Sequence, residues 1–225
     1  LWSPSFVPKP ADWGETIEVA GFAFLDQASS YDPPRELTDF LEQGTAPFYI
    51  GFGSCVIEDP GAMTATLSEA VRMAGVRAIL SRGWAGLGKE LDDPDILVVG
   101  DLPHDWLFPH LAGLCHHGGA GTVAAGLRAG LPTIVVPFFG DQYFWGDAIA
   151  RAGAGPAPIP GAGLNAEALA EAFAFCARPE TRVRAQEIAT GIREEDGANA
   201  AVAAFHRHLP VETMRCALDA SHLAR

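Results

Sequence analysis

The sequence has few basic residues for its size. Its 225 residues include 15 Lys and Arg against 28 Asp and Glu, which gives a formal net charge of −13. This charge opposes nonspecific binding to nucleic acid and to anionic membrane surfaces. We therefore expect no nucleic-acid partner, and any bound phosphate has to be neutralised by groups close to it.

Long apolar runs and paired cysteines are also missing. No run approaches the roughly 18 apolar residues that span a bilayer, and the first residues lack the basic start and apolar core of a signal peptide. The four cysteines are far apart, without a C-x-x-C pair, as is usual for free thiols in a reducing compartment. These features predict a cytoplasmic protein, and the 48% hydrophobic share is typical of a globular fold.

Short apolar runs alternate with helical patterns along most of the chain. Strands are predicted at residues 48–52, 78–80, 96–99, 113–115 and 133–136, with a weaker sixth strand over 155–159. Helices are predicted at 60–74, 120–129 and 143–152, followed by C-terminal helices near 165–177, 180–193 and 197–208. Such alternation predicts an α/β fold, a Rossmann-like, doubly wound parallel sheet covered by helices on both faces.

The pattern divides the chain into three regions. Residues 1–45, which are rich in proline at their start, are predicted to be an interdomain linker and lead-in segment. Residues 46–210 hold the alternating strands and helices and are predicted to be the ligand-binding domain. Residues 211–225 are predicted to be a C-terminal tail.

The most informative stretch is His116-His117-Gly118-Gly119-Ala120-Gly121-Thr122, which follows the fourth predicted strand. Its residues 118–122, here called the glycine nest, leave backbone N–H groups bare where a strand turns into a helix, so that an anion can approach. The positive end of the helix dipole would point at the same place. In the strand order 3-2-1-4-5-6 the first and fourth strands are neighbours, and ligands bind beyond their C-terminal ends. The stretch therefore predicts a phosphate site.

Two further polar loops are expected at the same edge of the sheet. Ser54 follows the first strand, and Asp141 and Gln142 follow the fifth. Asp and Gln side chains offer the acceptors and donors that sugar hydroxyls need. Aromatic residues surround this pair, which favours the wall of a pocket over a solvated turn. These aromatic residues are Phe138, Phe139, Phe144 and Trp145.

Other interpretations of these residues stay open. Residues 119–124 together with Asp141 superficially fit a dinucleotide-binding fingerprint, although that fingerprint belongs after a first strand. Close packing of a helix on the sheet would explain the glycines alone. His116 and His117 suggest a metal pair, but adjacent residues of an extended segment point to opposite faces. We therefore predict no metal site, with His117 functional and His116 structural.

The chain resembles the C-terminal half of sterol 3-beta-glucosyltransferases, members of the UDP-glycosyltransferase superfamily with the two-domain glycosyltransferase B fold. The resemblance extends nearly from end to end. It rests on WSP at 2–4, VPKP at 7–10, DWG at 12–14, YIGFGS at 49–54, PHDWLF at 103–108, HHGGAGT at 116–122, PFFGDQ at 137–142, FWG at 144–146, GPAPIP at 155–160 and FHRHL at 205–209.

The resemblance implies an inverting transfer of glucose from UDP-glucose to a sterol 3-beta-hydroxyl, with this half binding the donor. The implied UDP-sugar-binding residues are Ser54, His104, His117, Gly119, Ala120, Gly121, Thr122, Asp141 and Gln142. Among them, His117 and the backbone of the nest would hold the diphosphate beside Ser54. His104 would lie in the uridine region, and the Asp-Gln pair would bind the glucose hydroxyls.

Two positions depart from the pattern of the family. Ala125 stands where the broader plant-type signature has a ribose-binding Glu, so ribose recognition must come from elsewhere. Val123 stands where a second Thr is frequent, and this change removes one hydroxyl group while the nest stays intact.

In this family the acceptor site and the catalytic base belong to the N-terminal half, so the resemblance implies that this chain alone is catalytically incomplete. His117 would stabilise the leaving group. No metal and no cofactor are expected, because UDP-glucose is a co-substrate, and peripheral membrane contact is implied for the full-length protein. Open alternatives are a nucleotide-sugar transferase with another lipid or glycoside acceptor, an epimerase of the same fold, a non-catalytic nucleotide-sugar-binding module and a dinucleotide-binding dehydrogenase.

Overall fold

Five parallel strands form one sheet in the computed structural model, which describes residues 1–209. The strands are β1 (Phe48–Gly51), β2 (Ala78–Ser81), β3 (Ile96–Val99), β4 (Gly113–His116) and β5 (Thr133–Val135). Their order in the sheet is β3-β2-β1-β4-β5, and every neighbouring pair is parallel. The predicted Rossmann-like sheet is therefore confirmed, with β1 and β4 side by side at the switch point. The predicted tail, residues 211–225, lies outside the described residues.

The predicted sixth strand over residues 155–159 is wrong. This segment runs beside β5, where the Ile159 N–H donates to the Val135 carbonyl at 3.0 Å. Pro156 and Pro158 have no N–H and cannot continue a ladder of hydrogen bonds. The segment covers β5 without forming a strand.

Eight α-helices surround the sheet within residues 1–209. They are α1 (Arg35–Glu42), α2 (Pro60–Ala74), α3 (His104–Leu107), α4 (Ala120–Ala129), α5 (Gln142–Ala152), α6 (Ala166–Cys176), α7 (Pro179–Glu194) and α8 (Gly197–His208). The sequence predicted all of them except α1 and the single turn α3. In this described part of the chain, no helix is both long and apolar enough to cross a membrane.

Local sequence signals explain where several helices begin and end. The Asp59 carboxylate accepts from the Ala62 N–H at 2.9 Å and caps α2, while Gly75, at a φ of +61°, ends it. Asn165 caps α6 in the same way by accepting from the Ala168 N–H at 2.8 Å. Short polar side chains therefore fix both helix starts.

Both faces of the sheet are buried. Successive residues of a strand point to opposite faces, so neighbouring residues of β1 belong to different core clusters. Phe48 and Ile50 of β1 pack in a cluster with residues of α2 and α6. Tyr49, between them, packs on the other face with Leu107 and Phe108. Helices on both faces leave the C-terminal edge of the strands as the place where loops carry polar groups.

The lead-in segment packs against the helices that follow β4 and β5. Phe6 and Phe22 are buried in one cluster with Trp145 of α5. The Ser3 hydroxyl donates to the Glu195 carboxylate, 2.7 Å away, at the end of α7. This segment is therefore part of the packed structure, and the domain boundary at residues 45 and 46 stays a prediction.

Candidate functional site

Three loops meet at the C-terminal edge of the sheet. Gly51 at the end of β1 pairs with His116 at the end of β4, and His116 pairs with Val135 at the end of β5. The loops that follow these strands carry Ser54, the glycine nest and Asp141. The structure therefore brings these sequence-predicted elements to one edge, at the switch point where ligands of doubly wound folds bind.

Gly118 turns the chain from β4 into α4. Its φ of +92° lies in the region that favours glycine. A Cβ added there would lie 2.8 Å from a methyl carbon of Val135 and 2.9 Å from the Gln142 carbonyl oxygen. The turn therefore requires glycine twice, for its backbone conformation and for its close approach to the β5 loop.

The start of α4 offers unpaired backbone donors. Gly119 is the N-cap and has no side chain to cap the helix, and the Val123 N–H donates to the Gly119 carbonyl at 3.0 Å. The N–H groups of residues 119–122 have no acceptor anywhere in the described chain. With the helix dipole behind them, these groups form a site suited to an anion.

His117 lies between the nest and the loop that follows β1. A Cβ on Gly53 would lie 3.2 Å from its Cε1, and a Cβ on Gly119 would lie 2.5 Å from its Nε2, so small residues on both sides make room for the ring. Burial lowers the pKa of His117, although the Gly51 carbonyl and the Asp141 carboxylate act in the opposite direction. The ring is therefore neutral near pH 7 and can donate one hydrogen bond without a permanent charge.

His116 faces a different environment from its neighbour. It is fully buried, and its Nδ1 accepts from the Gly118 N–H at 2.9 Å. Burial lowers its pKa to about 3. His116 is therefore a neutral residue that contacts the turn from inside the protein.

Ser54 is exposed in the loop that follows β1. Its hydroxyl has no hydrogen-bond partner in the part of the chain that the structure describes. Gly53 before it has a φ of +57°, and its carbonyl accepts from the Trp84 N–H at 2.9 Å. The loop is therefore held through its backbone while the serine side chain stays accessible.

Asp141 and Gln142 have different surroundings. Gln142 is buried, and its Oε1 accepts from the Phe138 N–H at 2.7 Å and from the Phe139 N–H at 3.1 Å. Asp141 is exposed, and its Oδ2 accepts from the Trp145 Nε1–H at 3.0 Å. The carbonyl oxygen of Gln142 thus holds its own loop, while the Asp141 carboxylate faces the surface. Sugar binding by either residue stays a prediction.

His104 is the first residue of α3 and is half-buried. Its ring stacks on Phe108, with 4.4 Å between the ring centroids, and its edge-to-face contact with Tyr49 spans 5.7 Å. Burial lowers its pKa, and the neighbouring carboxylates of Asp105 and Asp101 only partly oppose this effect. His104 is therefore a neutral aromatic group beside the nest.

A cleft of about 400 Å³ connects His104 with the start of α4. It extends from the glycine nest towards the lead-in segment. Its lining residues are Ala23, Phe24, Leu25, Gln27, Leu102, Pro103, His104, Asp105, Gly121, Thr122, Ala125 and Arg128. The small side chain of Ala125 leaves this cleft open where a larger residue would fill it.

The lead-in segment forms a wall of this cleft, which the sequence analysis missed. The Asp105 carboxylate accepts from the Gln27 and Ala28 N–H groups at 2.6 and 2.7 Å. The Arg128 guanidinium lies 3.9 Å from the centroid of the Phe24 ring. No local sequence pattern predicts these contacts, because they join segments that are far apart in the sequence.

Positive potential at the start of α4 is expected from backbone dipoles, because the Arg128 guanidinium is already paired with the Asp26 carboxylate. Among residues 1–209, no group of three or more His, Cys, Asp or Glu side chains is arranged to hold a metal ion. The N–H groups of residues 119–122 are therefore the groups through which an acidic protein would bind an anion here.

Solved glycosyltransferases share this architecture. The calicheamicin glycosyltransferase CalG4 superposes with a TM-score of 0.71 at 19% sequence identity, over 92% of this chain and 52% of that chain. The glycosyltransferase of kitacinnamycin superposes with the same TM-score at 21% identity. The fold is therefore that of a glycosyltransferase B domain, as predicted.

Residues 88–203 match the family model described as "Erythromycin biosynthesis protein CIII-like, C-terminal domain", and the chain belongs to this family. It is also 48% identical over 214 residues to the sterol 3-beta-glucosyltransferase UGT80B1 of Arabidopsis thaliana. That alignment covers 94% of this chain and 35% of the plant protein. The chain thus spans about a third of the length of this curated relative, and homology to sterol 3-beta-glucosyltransferases is confirmed.

Proposed function

We propose that the chain is the donor-binding half of an inverting glycosyltransferase that transfers glucose from UDP-glucose to a sterol 3-beta-hydroxyl. The observation that carries the proposal is the set of unpaired N–H groups at residues 119–122, beside the neutral ring of His117. The sequence homology to sterol 3-beta-glucosyltransferases supports the donor and acceptor classes.

The diphosphate of UDP would bind at the glycine nest. There it would accept from the N–H groups of the first turn of α4, from the His117 ring and from the Ser54 hydroxyl. The uridine would extend into the cleft beside His104, where the half-buried ring offers an apolar face. Asp141, in the loop after β5, acts electrostatically on the His117 ring and would bind glucose hydroxyls.

The chemical role of this half is to stabilise the leaving group. When the acceptor oxygen attacks the anomeric carbon, the bond to the diphosphate breaks and negative charge grows on the phosphate oxygen. Oriented N–H donors interact more strongly with this charge than with the ground state, and removal of one such donor costs on the order of 3 kcal/mol of barrier. The residues described contain no carboxylate cluster for a divalent cation, so we assign this charge to the N–H donors.

Deprotonation of the acceptor hydroxyl is assigned to the part of the longer protein that lies outside this chain. Sterol binding and peripheral contact with a membrane in the cytoplasm are assigned to the same part. This chain is accordingly expected to bind UDP-glucose but not to turn it over with a sterol. A product assay with the full-length protein, comparing sterols with other lipid and glycoside acceptors, checks the acceptor class.

Calorimetric titration with UDP tests the donor site. His117→Ala should weaken UDP binding by about tenfold or more, because it removes a donor to a charged phosphate. His110→Ala is the matched control, since His110 is an exposed histidine at the end of the turn that follows α3. If the His117→Ala variant binds UDP as tightly as the unchanged protein, the assignment of the diphosphate to this site is wrong.

A further inference from the structure

His116 makes a contact for which the proposed function gives no role. It ends β4 and is fully buried, and the centroid of its ring lies 6.1 Å from that of His117 in an edge-to-face arrangement. Its Nδ1 accepts from the Gly118 N–H, and its Nε2 is buried without a partner among residues 1–209. A buried donor without a partner costs about 1–3 kcal/mol of stability. An apolar residue at this position would avoid that cost, so the presence of histidine indicates that its acceptor, Nδ1, has a role.

The hydrogen bond from Gly118 fixes the state of the ring. A neutral imidazole has one nitrogen that donates and one that accepts, so acceptance by Nδ1 places the proton on Nε2. A protonated ring would carry a hydrogen on both nitrogens and would lose the acceptor that Gly118 uses. Full burial lowers the pKa of His116 and keeps the ring neutral, and the nearby rings of His117 and His104 act in the same direction.

Gly118 is constrained at its N–H and at the position that a Cβ would occupy. Its N–H is bound by His116, while the space where a Cβ would stand is closed by Val135 and by the Gln142 carbonyl. The next peptide units are those of the glycine nest, and their N–H directions depend on how the Gly118 peptide is oriented. His116 is therefore the side chain that fixes the first peptide of the anion site.

Tyr49 lies on the same face of the sheet as His116. Its cross-strand partner on β1 is Gly51, and a Cβ on Gly51 would lie 2.3 Å from the Tyr49 hydroxyl, so this hydroxyl occupies the space above Gly51. The Tyr49 ring in turn meets the His104 ring at the nucleotide side of the cleft. His116 thus shares its face of the sheet with Tyr49.

We propose that His116 is a positioning residue: by accepting the Gly118 N–H it fixes the turn that aims the N–H groups of residues 119–122 at the bound diphosphate. The inference rests on the proposed function, because it takes UDP as the ligand. It assigns His116 no contact with the ligand.

Asparagine and leucine at position 116 separate the acceptor from the shape of the side chain. Asn carries its Oδ1 on the same carbon that bears Nδ1 in histidine, whereas Leu has the same branched shape without an acceptor. His116→Asn should bind UDP within about threefold of the unchanged protein, and His116→Leu should bind about tenfold more weakly, which corresponds to the loss of one hydrogen bond. Equal affinities of the two variants would overturn the proposal.

Amide hydrogen exchange at Gly118, followed by NMR, gives a readout that a merely structural role would not move. The Gly118 amide should be protected in the unchanged protein and in His116→Asn, and should exchange faster in His116→Leu while amides in β1 and β2 keep their protection. Should the leucine variant fail to fold, His116→Gln replaces it, because glutamine keeps the polarity but moves the acceptor one carbon away. Equal protection of Gly118 in all variants would contradict the proposal.

The two readouts distinguish failure of the inference from failure of the proposed function. If the unchanged protein does not bind UDP, the proposed function fails, whereas exchange at Gly118 still tests the role of His116. If UDP binds normally and the Asn and Leu variants behave alike, only the inference fails.

Discussion

The loops that follow β4 and β5 lie side by side at one edge of the sheet, but they use their polar groups in opposite ways. The β4 loop leaves the N–H groups of residues 119–122 unpaired within the described chain. In the β5 loop the polar side chains already make hydrogen bonds within the protein: Gln142 accepts from two backbone N–H groups, and Asp141 accepts from the Trp145 indole N–H. The loop with few polar side chains therefore has more capacity left for a ligand than the loop with two of them.

The physical reason lies in what each backbone needs. A helix start always leaves N–H groups without intrahelical partners, and glycine at the N-cap supplies no side chain that would occupy them. In the β5 loop, the Phe138 and Phe139 N–H groups would be left without acceptors, and a buried Gln142 satisfies both. The polar groups that are left to bind a ligand are therefore those that the backbone hydrogen bonds of each loop do not use.

The largest expected effect comes from breaking the β4 loop. Gly118→Ala should lower the free energy of unfolding by about 2–4 kcal/mol, because it combines a left-handed backbone with contacts below 3 Å, and it should abolish UDP binding. Gly100→Ala is the matched control, since a Cβ at Gly100 meets nothing within 4 Å. Urea denaturation and UDP titration measure both effects. Normal stability of Gly118→Ala would show that the turn tolerates a side chain.

The β5 loop should respond to Gln142→Leu mainly through stability. This change leaves the Phe138 and Phe139 N–H groups without their acceptor, and we expect the free energy of unfolding to fall by about 1–3 kcal/mol. Gln43→Leu, at an exposed position that follows α1, serves as the control. Denaturation curves measure the loss. If stability is unchanged while only UDP-glucose binding weakens, Gln142 contacts the sugar as the sequence predicted.

Low pH should weaken the β4 loop through His116. Burial lowers its pKa from about 6.5 to about 3, so between these values the unfolded chain binds more protons and stability falls as the pH decreases. His104 and His117 also have lowered pKa values and act in the same direction. Between about pH 7.5 and 5, the unchanged protein should lose about 1–2 kcal/mol more than His116→Asn does. Parallel pH profiles of unfolding for the two proteins would contradict this expectation.

The sequence predicted the fold well because its signals are local. Four-residue apolar runs mark the strands, and residues such as Asp59 and Asn165 mark helix starts. It missed α1, an eight-residue helix in which Leu37 is buried and Phe40 and Leu41 are half-buried against the core. It also predicted a strand at residues 155–159, because this run is largely apolar. Pro156 and Pro158 have no N–H group to donate, so the run cannot join the sheet.

The site could be predicted only as far as its backbone conformations are encoded in residue types. Glycines before a helix indicate that no side chain caps its first N–H groups, so the nest can be predicted from the sequence. The pairing of Gln142 with Phe138 and Phe139 is not visible, because it depends on where loop N–H groups point after folding. The same holds for Asp105, which accepts from the Gln27 and Ala28 N–H groups at the cleft beside His104 although it lies 77 or more residues away in the sequence.

The smallest expected effect concerns Asp141, the residue proposed to bind the sugar. Asp141→Ala should weaken UDP-glucose binding about fivefold while UDP binding stays nearly unchanged, because one hydrogen-bonding group for the sugar is lost and the nest is untouched. Trp145→Phe is the control: it removes the indole N–H that binds Asp141 and leaves the carboxylate in place, so it should change the ratio of the two affinities less. Parallel calorimetric titrations with UDP and UDP-glucose give that ratio. Equal weakening of both ligands by Asp141→Ala would mean that the carboxylate has no role specific to the sugar, and the unpaired donors of the β4 loop would then have to hold the donor without this side chain.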